Sequence, residues 1–426
     1  MAAITLPLPS DLKPGSTQKY ELPYGITESP IKIESNNFTT ARTASATSAP
    51  STKSEFVLNY GQIYKLKKAH LKFNVTITSG GDTNPSLSNG AWTIIKKISW
   101  NFGGGQLYEI SEFNLLRSFK YITEGHQLRN EQEEYGVGSR KERIAWAAAS
   151  KTYYVDISDT LDFDGGLFIT NDDSTSREVK LVVEYDAPAN CMECDSGTSS
   201  YYSVDASSAY LIVPMLHDTG APGSTRGAIL NKLVSGAPYP FHIKNVQYYS
   251  PGNTASSGTS ITAQFEPRRA SLKELYLIFR HDANVQLRTT LDKFEKYERL
   301  NCSEYMFRIK NVSQYDDEVV VGSNPKEAYE RVLQALGRDH IHSELAPLLT
   351  YGAYKSQSFI LGHSWHIANK KVRETAGYKQ ESTQYPTFYL TLSSALSAEH
   401  RIEFIAVSDA TIEVTNGNYI AHPKDW

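Results

Sequence analysis

Cys191-Met192-Glu193-Cys194 sets two thiols at the spacing of half a zinc site or of a dithiol redox pair. A zinc site needs a second half. Cys302 is distant in the sequence, and no histidine lies within ten residues of the pair on either side. The ordinary reading is a pair of loop cysteines. His363-Ser364-Trp365-His366 and His340-Ile341-His342 invite a metal as well, because imidazole is the commonest ligand. Residues three apart on a strand point to opposite faces, however, and the second cluster follows a helix C-terminus, where cations are favoured in their own right. Asp156, Asp159, Asp162 and Asp164 ahead of Gly165-Gly166 supply carboxylate oxygens of the kind calcium takes, but the distal bidentate Glu of a calcium loop is absent. Acidic turn residues account for them. Gly103-Gly104-Gly105 lacks the Lys-Ser/Thr that completes a phosphate cradle and reads as a tight turn. No catalytic, cofactor-binding or metal-ligating residue is therefore expected, with a structural ion near Asp156 to Asp164 left open.

Such residues need elements to position them, and these are strands. Ala69, Leu71, Phe73, Val75 and Ile77 are apolar, while His70, Lys72, Asn74, Thr76 and Thr78 between them are polar. That period of two marks a half-buried strand. It returns at Ile98, Trp100, Phe102, at Val179, Leu181, Val183, Tyr185, at Leu275, Leu277, Phe279, at Phe388, Leu390, Leu392 and at Ile402, Phe404, Ala406. Two helical stretches interrupt the strands. Ile110, Phe113, Leu116, Phe119 and Ile122 recur at helical spacing. Further on, Asn324 as N-cap, Pro325 in the first position, Glu327 and a Gly337 stop frame a helix with Ala328, Val332, Ala335 and Leu336 on one face.

The spacing predicts an all-β chain of two tandem eight-stranded jelly rolls with short interposed helices: an extended arm over 1–54, a first jelly roll over 55–187, a linker or crossover over 188–237, and a second jelly roll over 238–426. A (β/α) barrel would need a helix after every strand. The 426 residues suit two cores. Ser35 to Ser54 is too poor in apolar residues to fold alone.

Formal net charge is -4, with the charges interspersed, so no basic field is on hand for nucleic acid. The first 54 residues set Lys13, Lys19, Lys32, Arg42 and Lys53 against Asp11, Glu21, Glu28 and Glu34 and come out nearly neutral. Met1 to Pro14 lacks the charge and apolar run of a signal peptide, and three cysteines suit a reducing cytosol. The longest apolar run, Ile144 to Ala149, is far too short to span a bilayer. Sequons at Asn37, Asn74, Asn301 and Asn311 then read as chance matches. The 27 tyrosines against 16 phenylalanines point to many rings with one wet edge, a setting that subunit interfaces supply.

Ser54-Glu55-Phe56-Val57-Leu58-Asn59-Tyr60-Gly61 leads into Ile63 to Thr78, and after Gly80-Gly81 comes Trp92-Thr93-Ile94-Ile95-Lys96-Lys97-Ile98-Ser99-Trp100. This opening, with the tandem layout and the length, resembles the double jelly-roll major capsid proteins of the tectivirus and adenovirus lineage. The resemblance implies a structural protein, not an enzyme, that needs no cofactor. It implies homotrimers whose six jelly rolls form a pseudo-hexagonal capsomer, neighbouring capsomers, penton and minor capsid proteins as partners, and residence in an icosahedral virion shell assembled in the host cytoplasm or nucleus. Several family members carry an amphipathic N-terminal helix near an internal membrane. Here Pro7, Pro9, Pro14, Pro23 and Pro30 argue against membrane contact through the arm. The alternatives are a trimeric virion spike or receptor-binding protein and a carbohydrate-active enzyme on a jelly-roll scaffold. No shaft repeat precedes Glu55, and Asp and Glu are spread evenly with no sign of a carboxylate pair.

Overall fold

A computed structural model describes residues 27–34, 53–58, 62–102, 105–123, 135–147, 149–161, 167–168, 179–217, 239–254, 258–267, 269, 271–310, 312–315, 317–336, 349–365, 378–380, 384–415 and 418–421. Of the twenty-two strands among the described residues, sixteen form the repeated framework of its two halves. The first eight are β1 (Thr27–Glu34), β2 (Lys53–Val57), β3 (His70–Thr78), β4 (Ile95–Phe102), β5 (Gly105–Ser111), β6 (Lys151–Asp156), β7 (Val179–Tyr185) and β8 (Tyr201–His217). The second eight are β9 (Tyr239–Asn253), β10 (Ser260–Gln264), β11 (Leu272–His281), β12 (Cys302–Ile309), β13 (Val312–Ser313), β14 (Leu361–Ser364), β15 (Pro386–Leu392) and β16 (His400–Thr415).

In the first half the sheets run β1-β8-β3-β6 and β2-β7-β4-β5; in the second they run β9-β16-β11-β14 and β10-β15-β12-β13. Each strand of one half has its counterpart eight strands later. The chain folds the same eight-stranded jelly roll twice. Short strands extend the sheets: Ile63–Tyr64 joins β8 to Leu167–Phe168, Val319–Val320 adds to β12, and Asn418–Ala421 adds to β16.

All these neighbours are antiparallel, so odd-numbered strands run one way and even-numbered strands the other. The links from odd to even strands therefore emerge at one end of each sandwich. The longest links, 112–150 and 314–360, belong to that end and carry the longer helices: α1 (Phe113–Thr123) and α2 (Arg140–Trp146) in the first half, α3 (Lys326–Ala335) and α4 (Tyr351–Ser356) in the second. At the opposite end β4 turns into β5 with Phe102 facing Gly105.

Alternation translates into burial. Leu71, Phe73 and Val75 of β3 are buried while His70, Lys72 and Asn74 are half-exposed. α1 buries Phe113, Leu116, Phe119 and Ile122, while Ile110 belongs to β5. α3 buries Ala328, Val332 and Ala335 as its sequence predicts, one residue later at its start: Pro325 occupies the N-cap, and Asn324 Oδ1 accepts from Lys326 N at 3.3 Å. Gly337 lies outside the described residues.

Strand pairing redraws the expected boundaries. Thr27–Glu34, expected within an extended arm over 1–54, is a strand that pairs with β8 from Thr27 opposite His217 to Glu34 opposite Tyr210. Tyr201–His217, within the stretch expected as a linker or crossover over 188–237, is a strand of the same sheet, bonded to β1 and β3. Proline hid the first: Pro30 reads as a strand breaker, yet it sits at a sheet edge opposite Pro214, an arrangement suited to a residue pair that exchanges no N–H···O bonds. Ser203, Asp205 and an irregularity between Asp205 and Tyr210 obscured the length of the second.

Candidate functional site

The odd-to-even links of the two halves meet in a buried polar seam. It joins residues 79–94 and 186–200 of the first half, α2, and residues 282–301 of the second. Glu193 lies at its centre, wholly buried. Its Oε1 accepts from Arg143 at 3.0 Å and lies 3.5 Å from Arg140 Nε, while Oε2 accepts the backbone N–H of Asp292 at 3.1 Å. Arg143 spends its other donors on the carbonyls of Leu87, Ser88, Val137 and Gly138 at 2.7–3.3 Å. One guanidinium thus fastens two loops to the carboxylate that holds the second half. α2 points Arg140 and Arg143 there because its start is fixed by a capping box between Ser139 and Glu142.

A second tie runs beside it. Asp82 accepts from Ser199 N at 2.9 Å and Ser200 N at 2.7 Å and stands 3.7 Å from Arg288 of the second half. Arg288 donates to Ser200 O, and its own carbonyl accepts from Cys194 N at 2.9 Å. Burial pushes the Asp82 carboxyl up, but the two amides and Arg288 hold it below its ordinary value. Lys293 donates to Ala189 O at 2.6 Å, and burial lowers its pKa to about 8. For Glu193 burial wins over the pull of Arg143 and raises the carboxyl. Apolar contacts continue the junction: Phe119 packs on Tyr276 with ring centroids 5.0 Å apart, and Tyr108 Oη lies 3.4 Å from Val246 N.

This arrangement can hold two sandwiches side by side. The Arg143–Glu193, Arg140–Glu193 and Arg288–Asp82 pairs, at 3.0–3.7 Å, and the Lys293 bond to Ala189 O tie backbone and side chains of the two halves together.

The residues singled out from the sequence fall elsewhere or serve packing. Cys191, Cys194 and Cys302 are buried free thiols; burial raises all three, Cys302 to about 12, which suppresses the reactive thiolate. Cys191 Sγ donates to Ala187 O and Cys194 Sγ to Gly197 O, so the pair serves separate turns. His363 is stacked 4.2 Å from Phe307 with Nδ1 3.1 Å from Tyr315 Oη, and burial brings its pKa down to about 4. Asp156 pairs with Arg117 at 3.0 Å and accepts from Ser158 N. Asn74 lies within β3 and accepts from Thr152 Oγ1; Asn301 donates to Ser394 Oγ. Gly105 opens β5. His340, His342, His366, Asp162, Asp164, Gly103, Gly104, Gly165, Gly166, Asn37 and Asn311 lie outside the described residues, as does the Asp159 side chain. Among the described residues no group of three or more His, Cys, Asp or Glu is placed to hold a metal ion, and no helix is long and apolar enough to cross a membrane.

The seam was missed in the sequence because its members are far apart. One signal was there: Ser139-Arg140-Lys141-Glu142 has capping-box spacing and announces α2.

No protein-family model matches the sequence, and no curated protein matches it. Solved structures do. PBCV-1 VP54, fitted into a reconstruction of the virophage Sputnik, superposes with a TM-score of 0.59 at 11% identity, covering 95% of this chain and 98% of that one. The PBCV-1 virus capsid gives 0.57 at 12% identity over 95% and 98%. The Faustovirus major capsid protein gives 0.55 at 8% identity over 95% and 94%. Likeness at such identities is likeness of fold, and the fold is the double jelly roll.

Proposed function

We propose that this protein is a viral major capsid protein. On this reading it self-assembles as pseudo-hexagonal homotrimeric capsomers that build an icosahedral shell, and it works in the virion without catalysing a reaction. The observation that carries the proposal is the same eight-stranded jelly roll twice in one chain, the copies fastened side by side with their long links at a common end. That is the architecture of the capsid structures it superposes on over nearly its whole length. A structural role fits a seam whose charges are consumed by one another. Catalytic, cofactor and metal residues have no part in this reading, and neither does nucleic-acid binding or membrane contact through the N-terminal region. Its partners are further copies of itself, then penton and minor capsid proteins. We divide the chain into a first jelly roll over 27–217, a connection over 218–238 and a second jelly roll over 239–421.

Native mass spectrometry and negative-stain microscopy of purified protein test the proposal. Three times the 47.6 kDa chain mass, in particles of six-lobed outline, is the expected result. A folded monomer at micromolar concentration would refute it.

A further inference from the structure

β11 ends at His281 and β16 begins at His400, and the strand register sets the two directly opposite each other at the looped end of the second half. Asp282 N donates to Glu399 O at 3.1 Å, one residue outside the pair on each strand. His281 and His400 are therefore a non-hydrogen-bonded pair, the position of an antiparallel ladder where side chains stand closest. Their rings meet edge to face with centroids 5.2 Å apart. Two imidazoles on one tetrahedral zinc ion, each nitrogen at about 2.0–2.1 Å, have their centroids about 5 Å apart. The pair already stands at that spacing.

The nitrogens are in the state a metal needs. His400 Nδ1 lies 3.1 Å from Ala398 O; a carbonyl only accepts, so Nδ1 carries the proton and the Nε2 lone pair is left for another partner. A bond of this kind to a carbonyl is what orients a metal-bound histidine. His281 Nδ1 is buried without a hydrogen-bond partner, although the residue as a whole is partly exposed. Burial lowers the pKa of His400, and His281 beside it acts in the same direction, which favours the neutral, ligating ring. The charges next to the pair along the strands cancel: Arg280 is bonded to Glu403, and Arg401 to Asp282 at 2.6 Å. Glu298 adds a carboxylate that favours a cation at His400.

We propose that His281 Nδ1 and His400 Nε2 hold a divalent transition-metal ion, zinc by its fit to imidazole and to this spacing, with water completing the coordination. The ion clasps the ends of β11 and β16 at the point where residues 282–301 leave for the seam. It thereby braces the link that brings Arg288, Asp292 and Lys293 to the first half. The site lies within one chain, so the inference stands apart from the capsid reading.

Zinc chloride titrated calorimetrically into the full chain, stripped beforehand with a chelator, tests it. One ion per chain should bind near pH 7, and His281→Gln should weaken that binding at least about 100-fold. Because His281 is partly exposed, the variant should keep the circular dichroism of the wild type. X-ray absorption at the zinc edge, which needs no variant to fold, should show two imidazole nitrogens and no sulfur. Changing His340, His342 and His366 together to Gln should leave binding as it is in the wild type. Undiminished binding by His281→Gln, a sulfur shell around the zinc, loss of binding in the triple variant, or a wild-type chain that binds no zinc would each overturn the inference and leave the capsid reading standing.

Discussion

β3 and β11 hold the same place in the two halves, yet they are buried differently. β3 alternates, with Leu71, Phe73 and Val75 inside and Lys72 and Asn74 half-exposed. β11 is buried without a break from Leu275 to Arg280. The second face of β11 is covered: Tyr276 meets Phe119 of the first half and donates to Ala335 O of α3 at 2.9 Å. The fold fixes only one face of such a strand; what packs on the other decides whether it reads as alternating or as a continuous apolar run. The halves differ in their charges too. Arg280 and Glu403 form a bidentate pair at 2.6 Å, deep in the second half, while in the first half Asp156, opposite Arg117, keeps a fifth of its side chain in water.

The largest effect is expected from deleting residues 1–52, because that removes β1 and bares β8 while leaving β2 whole. Calorimetry should show the first half melting about 15 °C or more ahead of the second, the shift that more than about 5 kcal/mol makes in a unit of this size. A single unaltered transition would show that β1 contributes nothing. Tyr276→Ala and Phe73→Ala should each cost about 3 to 5 kcal/mol in denaturant titrations, since each takes a large buried ring. Arg280→Met should match them, because it strands the Glu403 carboxylate; Arg117→Met should cost about half as much. Equal losses for the two arginines would erase the contrast between the halves.

Acid should weaken the second half first. His363 has a folded-state pKa of about 4, below its ordinary 6.5, so the unfolded chain takes up the proton more readily. The stability held by neutral His363 is fully present above pH 6.5 and falls as pH drops from 6.5 toward 4, by at most about 3 kcal/mol. His363→Phe should flatten that part of the pH profile; an unchanged slope would assign it to other groups. The smallest effect is expected for Lys72→Ala. The side chain only overhangs the Tyr154 ring at 5.8 Å, and its loss should stay within about 0.5 kcal/mol.

The sequence made much of the fold legible where burial was one-sided. Ala69 to Thr78 announced β3, and Val179 to Tyr185 is β7 to the residue. Helix α3 was legible from its cap and apolar face. β1 was not, because Pro30, Lys32 and Glu34 look like a polar lead-in until β8 is laid beside them. The seam was illegible for a related reason. Cys191-Met192-Glu193-Cys194 drew attention to its thiols, whereas its working residue is Glu193, whose partners Arg143 and Asp292 lie 50 and 99 residues away. Local pattern reports which way a strand faces; it is silent on which loops will share a buried charge.

The pairing of β1 with β8 sets an order of events during synthesis. β1 leaves the ribosome early, but its only strand partner among the described residues ends at His217, some 180 residues later. At about 5–20 residues per second that is a wait of roughly 10 to 40 s. Through that interval β1 has no strand of its own sheet to pair with among the described residues. The first sheet is therefore completed only after β8 has been made, although its first strand is among the earliest residues synthesised.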